Sequence, residues 1–173
     1  NDYGRSKWAA TQLILNHAEA HQRRHVVARV FNLCGPGQGQ KQALGRYTAE
    51  LASATGTEEI LLYAFALDYK RDFLDVRDAA RAIIQLADSN TAAGLYHLGR
   101  GSSHSIRESL NCLIQYSGHK VTIIEEPPAN PMREGVRDSV ANITRISHET
   151  GWSPEIRFED SLRDLWADVS SRS

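Results

Sequence analysis

Tyr3 and Lys7 stand four residues apart in the opening segment Tyr3-Gly4-Arg5-Ser6-Lys7. On a helix, residues at that spacing share a face, which brings a phenol and an ammonium within reach of each other. Two such groups about 4 Å apart, at an effective dielectric of about 20, interact by roughly 4 kcal/mol, enough to lower a tyrosine pKa markedly. A tyrosine tuned in this way can pass a proton to or from a substrate hydroxyl. Spacing alone does not separate such a pair from a solvated helix face.

Other groupings carry less chemistry. His17, His21 and His25 recur at i, i+4 and i+8, a spacing that can bring two imidazoles to one metal. No Asp or Cys nearby completes a ligand set, and Glu19 faces elsewhere, so a solvated histidine face is expected and no metal. Gly35-Pro36-Gly37-Gln38-Gly39 is glycine-rich but lacks the Lys-Ser/Thr of a P-loop. Asp75, Asp78 and Asp88 suit helix caps or solvated helix surface, and Trp152 and Trp166 suit packing. The two cysteines, Cys34 and Cys112, imply neither a disulfide framework nor a zinc site.

The elements that must position these residues alternate in kind. Residues 3–21 read as an amphipathic helix with Trp8, Leu13, Ile14 and Ala18 at helical spacing. The β-branched run His25–Phe31 reads as a strand that stops at Gly35-Pro36-Gly37. Helices are expected over Gln42–Ser53, Asp78–Ala87 (largely buried), Ser105–Tyr116 with Ser103 or Ser105 as cap, Thr144–Thr150 ended by Gly151, and Glu159–Val169. Strands are expected over Ile60–Phe65, Asp72–Val76, Gly94–Leu98 and Lys120–Glu125. Pro127-Pro128-Ala129-Asn130-Pro131 reads as a rigid connector. The pattern predicts an α/β fold.

Such a sheet, when it binds a nucleotide, opens with a strand, a Gly-rich turn and a helix. This sequence opens on a helix and contains no GxGxxG or GxxGxxG. It is therefore expected to be the C-terminal part of a longer domain. With 20 Lys+Arg against 21 Asp+Glu and no basic stripe, a dedicated nucleic-acid binder is not expected. No run of eighteen apolar residues occurs, so no membrane span is expected. The composition suits a soluble cytoplasmic protein.

Five ordered segments resemble the extended short-chain dehydrogenases/reductases. Tyr3-Gly4-Arg5-Ser6-Lys7-Trp8-Ala9-Ala10 is similar to their YxxSK segment. Arg29–Gln38 is similar to R-x-F-N-x-x-GPGQ, and Arg71–Asp78 to RDF-x-x-V-x-D. Tyr96-His97-Leu98-Gly99 with Ser105-Ile106-Arg107-Glu108, and then Gly151-Trp152-Ser153-Pro154, complete the series across nearly the whole chain.

The resemblance implies the last Rossmann elements and a small α/β substrate-binding lobe spanning residues 1–173, without the N-terminal cofactor half. It implies NAD or NADP as cofactor and a nucleotide sugar as substrate. Arg29–Gln38, Arg71–Asp78 and Glu159–Leu165 most resemble GDP-4-keto-6-deoxymannose reductases, whereas Pro131–Ser139 is closer to UDP-sugar 4-epimerases. Reduction of a 4-keto-6-deoxy nucleotide sugar is the expected reaction. A 4-epimerase, a 4,6-dehydratase or a non-catalytic sugar-nucleotide-binding remnant are the alternatives. By the same resemblance, Tyr3 is the acid/base, Lys7 binds the nicotinamide ribose, and Val30 lies where the backbone passes the nicotinamide. Asn32 bonds the nucleotide sugar, and Arg71 and Arg133 grip its pyrophosphate, for which a guanidinium fork is well shaped. The family's subunits pair through the helix that begins at Tyr3, so a homodimer is expected of the full-length protein.

Overall fold

A computed structural model describes residues 2–56, 58–88, 90–127 and 135–172. The chain runs α1 (Asp2–Ala20), β1 (Val26–Val30), β2 (Asn32–Cys34), α2 (Ala43–Ser53), β3 (Ile60–Phe65), β4 (Lys70–Arg71), β5 (Phe73–Asp75) and α3 (Val76–Asp88). It continues with β6 (Gly94–Leu98), β7 (His104–Ser105), α4 (Ile106–Ser117), β8 (Val121–Glu126), β9 (Asp138–Ser139), α5 (Thr144–Thr150) and α6 (Phe158–Ser170). The class is α/β, with most strand pairing parallel.

β1 pairs in parallel with β6, β2 with β5, and β3 with β8. The short β4 lies between β7, antiparallel to it, and β9, parallel to it. β1 and β2 are separated only by Phe31, whose N–H still donates to the Leu98 carbonyl at 2.9 Å. One extended segment therefore leaves β6 and joins β5 within a single residue. Parallel strands that diverge in this way open a crevice at their carboxyl ends, a usual place for a ligand in α/β folds.

Two apolar cores flank that divergence. In the first, α2, α4 and α6 pack through Leu44, Leu51, Leu110, Leu113, Leu162 and Leu165 against β3 and β5. In the second, α3 and α5 close over β6 through Ala79, Ala82, Leu86, Ile146 and Trp152. The α4 cap is the expected Ser105. Its hydroxyl accepts from the Glu108 N–H while the Glu108 carboxylate accepts from the Ser105 N–H, a complete capping box. Gly151 ends α5 in the left-handed conformation, φ 70°.

Two expectations need correction, for α3 and for Asp78, while α1 turns its apolar residues outward: Trp8 is 61% and Leu13 72% exposed, and only Thr11 and Ala18 are buried. Thr11 and Arg29 hold the helix to β1 by a 3.3 Å hydrogen bond instead. α3 is buried on one face only, with Ile83 and Ile84 exposed. Asp75 is the expected cap of α3, fully buried, and also accepts from Ser161 of α6; Asp78 is not solvated but fully buried, accepting the Glu155 and Ile156 N–H groups at 3.0 Å. The connector falls largely at residues 128–131, outside the described residues.

The second core also contains a titratable clamp. The Glu149 carboxylate accepts from the Tyr96 hydroxyl and pairs with Arg145 at 2.9 Å, while Arg145 lies over the Tyr96 ring. These contacts, the tyrosine hydroxyl foremost, move the Glu149 carboxyl from 4.5 down to about 2. A carboxyl depressed on folding adds stability that is complete above its unfolded value and fades as pH falls toward its folded one. Acid unfolding of the wild type is therefore expected to begin as pH drops through about 4.5 toward 2. Glu149→Gln is expected to show a shallower loss across that window by circular dichroism. An identical acid profile would remove Glu149 as a contributor.

Candidate active site

A cleft of about 710 Å³ opens where β1 and β2 diverge. Val30, Phe31, Asn32 and Leu33 form one wall, and the 36–39 loop and the start of α2 form a second. Arg71, Phe73, Val76 and Ile106 close the remaining side, and Tyr3 stands at the rim. Four of the six residues singled out from the sequence, Tyr3, Val30, Asn32 and Arg71, thus line one space. Lys7 lies one turn further along α1, its ammonium 5.7 Å from the centre of the Tyr3 ring. Arg133 is outside the described residues.

Each position follows from a local cause. Helical spacing stacks Lys7 over Tyr3, and with the ring 72% exposed the phenol is open to whatever occupies the rim. The alternation of β1 turns Val30 outward, 38% exposed, and the partner change at Phe31 presents Asn32 two residues later. Arg71 is held by β4. Its Nη1 donates to the Lys70 and Val136 carbonyls at 2.7 and 2.8 Å, and its guanidinium lies 5.5 Å from the Tyr69 ring centre. Among the described residues no carboxylate pairs with it, so its charge faces the cleft without an acidic partner there. A cleft holding one cationic fork, the amides of Asn32, Gln38 and Gln42 and one exposed phenol suits an anionic, hydroxyl-rich ligand.

Asp72, next to Arg71, is 1% exposed and accepts three backbone N–H groups: Arg100 at 2.6 Å, Gly101 at 2.9 Å and Ala141 at 3.0 Å. It anchors the β4–β5 junction, and with it the direction of Arg71. Its place inside the Arg71–Asp78 segment was the available signal for that role. Gln38 and Gln42 also line the cleft, and the Oε1 of Gln38 is buried with no protein partner. Gly45 supports their loop by close approach, since a Cβ there would strike the Gly39 carbonyl. Cys34, at the end of β2, is fully buried, and burial pushes its thiol up to about 12, so it is not a nucleophile.

His17 of α1, with His21 and His25 after the helix, sits away from this cleft. His17 and His25 share a 3.1 Å hydrogen bond, and the His21 ring lies tilted against His17. Among the described residues no group of three or more His, Cys, Asp or Glu side chains could hold a metal. No helix among them is long and apolar enough to cross a membrane.

Comparisons with known proteins converge on one group. The model of the family described as GDP-mannose 4,6 dehydratase matches residues 1–165. GDP-6-deoxy-D-mannose reductase of Pseudomonas aeruginosa is 32% identical over 173 residues, covering 99% of this chain and 57% of that protein. dTDP-6-deoxy-L-talose 4-dehydrogenase (NAD(P)(+)) of Kitasatospora kifunensis is 29% identical, covering 98% of this chain and 54% of that one. The structure of RMD from P. aeruginosa complexed with NADPH superposes with a TM-score of 0.89 at 29% identity, over all of this chain and 57% of its own. The chain spans about half the length of the relatives it matches.

Proposed function

Because this chain belongs to the GDP-mannose 4,6 dehydratase family, within the extended short-chain dehydrogenases/reductases, we propose that it is the C-terminal, substrate-binding part of a longer NAD(P)-dependent enzyme that reduces a 4-keto-6-deoxy nucleotide sugar. The observation that carries this reading is the convergence of Tyr3, Val30, Asn32 and Arg71 on one cleft. Similarity to a GDP-6-deoxy-D-mannose reductase supports the reductase reading. The NADPH in the similar structure supports the cofactor.

The residues present fit one end of that cofactor. The Tyr3 phenol and Lys7 ammonium suit ribose hydroxyls, and Val30 offers an apolar surface to a flat ring at the same rim. When bound, the nicotinamide supplies the hydride. Tyr3 delivers its phenolic proton to the oxygen at C4 of the sugar, and Lys7 balances the charge left on the phenolate. Asn32 bonds the sugar side of the ligand. Arg71 holds the pyrophosphate from the opposite wall. The exposed Trp8, Leu13 and Ile14 of α1 suit pairing of two subunits in the cytoplasm.

The test uses the longer enzyme with GDP-4-keto-6-deoxymannose and NADPH. Arg71→Ala is expected to raise KM for the sugar nucleotide about 10- to 100-fold with little change in kcat, because a charge-assisted bond contributes about 1.5–3 kcal/mol to ground and transition states alike. An unchanged KM would take Arg71 out of the pyrophosphate grip. A wild type that oxidises NADPH with no 4-keto-6-deoxy nucleotide sugar would overturn the reductase reading.

A further inference from the structure

The 36–39 wall of the cleft is irregular chain suspended between β2 and α2, and few bonds hold it. Within the loop, Gln38 donates to the Gly35 carbonyl at 3.3 Å and Gln42 to the Gly39 carbonyl at 3.4 Å, both long turn contacts. Pro36 has no N–H to give. Gly37 adopts φ 82°, the left-handed region, which turns its N–H out of the loop. That N–H donates to Oδ2 of Asp168, 131 residues away on α6, at 2.8 Å. A carboxylate acceptor makes this the strong bond of the set. Arg172, just past the end of α6, pairs with the same carboxylate.

We propose that Asp168 is a positioning residue of the cleft, a latch that fixes the 36–39 wall through the Gly37 N–H. This rests on the nucleotide-sugar reading of the cleft given above. α6 is well placed to serve as an anchor. Leu162 and Leu165 bury it in the first core, and Ser161 and Asp164 tie it to Asp75 and Arg77 beside the cleft floor. The latch thus transfers the rigidity of a packed helix to a loop that has no strand or helix of its own. Asp168 touches neither the cleft nor Tyr3, so its loss should loosen the grip on the ligand and spare proton transfer. The Gly37 N–H also holds the Asp168 carboxyl below its ordinary range, so the latch stays ionised at neutral pH.

Two measurements test the latch. In the 173-residue chain, Asp168→Ala is expected to speed amide hydrogen exchange at Gly37 about tenfold relative to the core amides of α4, corresponding to loss of one hydrogen bond. In the longer enzyme the same change is expected to raise KM for GDP-4-keto-6-deoxymannose about three- to tenfold, with kcat within about twofold. Asp168→Asn keeps an oxygen acceptor but not its charge, and is expected to recover about half of each loss. Unchanged Gly37 exchange in the alanine variant overturns the latch. Faster exchange with an unchanged KM, or a failure of asparagine to rescue, overturns its positioning role. If the wild type turned over no nucleotide sugar, the functional reading would fall, and the exchange measurement alone would decide the latch.

Discussion

Replacing Tyr3 by phenylalanine in the longer enzyme is expected to lower kcat about 100- to 10,000-fold and to leave KM for the nucleotide sugar nearly unchanged. The phenol stands at the rim of the cleft, 72% exposed, whereas Asn32 and Arg71 line its walls. Removing one hydroxyl subtracts a proton donor from the transition state and no grip from the ground state. The helix is not disturbed, because the Tyr3 ring packs against no core and the Ser6 hydroxyl bonds the Tyr3 carbonyl, not its side chain. Steady-state kinetics and a single-turnover measurement check this. A variant that kept more than about a third of wild-type kcat would assign the proton to another group.

The largest stability effect is expected at Asp72. Asp72→Ala strands three backbone N–H groups, those of Arg100, Gly101 and Ala141, in a region where the carboxylate is 1% exposed. Each orphaned buried donor costs about 1–3 kcal/mol, and incomplete relaxation toward solvent brings the total to roughly 3–5 kcal/mol. That is a large share of the about 5–15 kcal/mol by which a domain is stable. Asp72→Asn keeps the volume and one carbonyl oxygen, so about half the loss is expected. Urea unfolding of the 173-residue chain measures both. Equal midpoints for Asp72→Ala and the wild type would mean that water or a shifted loop satisfies the three donors. Loss of this anchor also frees β4, so Arg71 would lose its direction before the fold is lost.

Short apolar runs with clear end signals were legible in the sequence. Ile60–Phe65, Gly94–Leu98 and Thr144–Thr150 coincide with their elements, the last ended by Gly151 as expected, and Phe73–Asp75 lies inside the expected Asp72–Val76. The other strands of two and three residues, Asn32–Cys34, Lys70–Arg71, His104–Ser105 and Asp138–Ser139, are too short to show a period. They are made by tertiary pairing, which local propensity does not register. The apolar residues of α1 are a related case. Periodicity reveals a face but not what lies against it, and here Trp8 and Leu13 face outward. Within the site, Tyr3, Val30, Asn32 and Arg71 were found through motif order. Asp72 lay in a recognised segment with its role unread, since nothing local reveals that a carboxylate faces three amides from distant loops. Asp168 had no signal at all, its partner being a backbone group 131 residues away.

The single residue between β1 and β2 has a mechanical consequence. Val30, on the Tyr3 side, is set in register by Leu98, and Asn32 by Phe73. Leu98 belongs to one core and Phe73 to the other. No slack chain lies between the two registers to absorb a mismatch. The distance from Tyr3 to Asn32 is therefore the difference between two separately packed bodies, joined by a stiff coupling. A methylene added or removed in either body shifts one register against the other, and close-packed interiors transmit such strain instead of dissipating it. Core substitutions at Leu98 or Phe73 mild enough to leave the unfolding midpoint in place should still detune turnover, much as a change in one leg of a caliper moves its jaw.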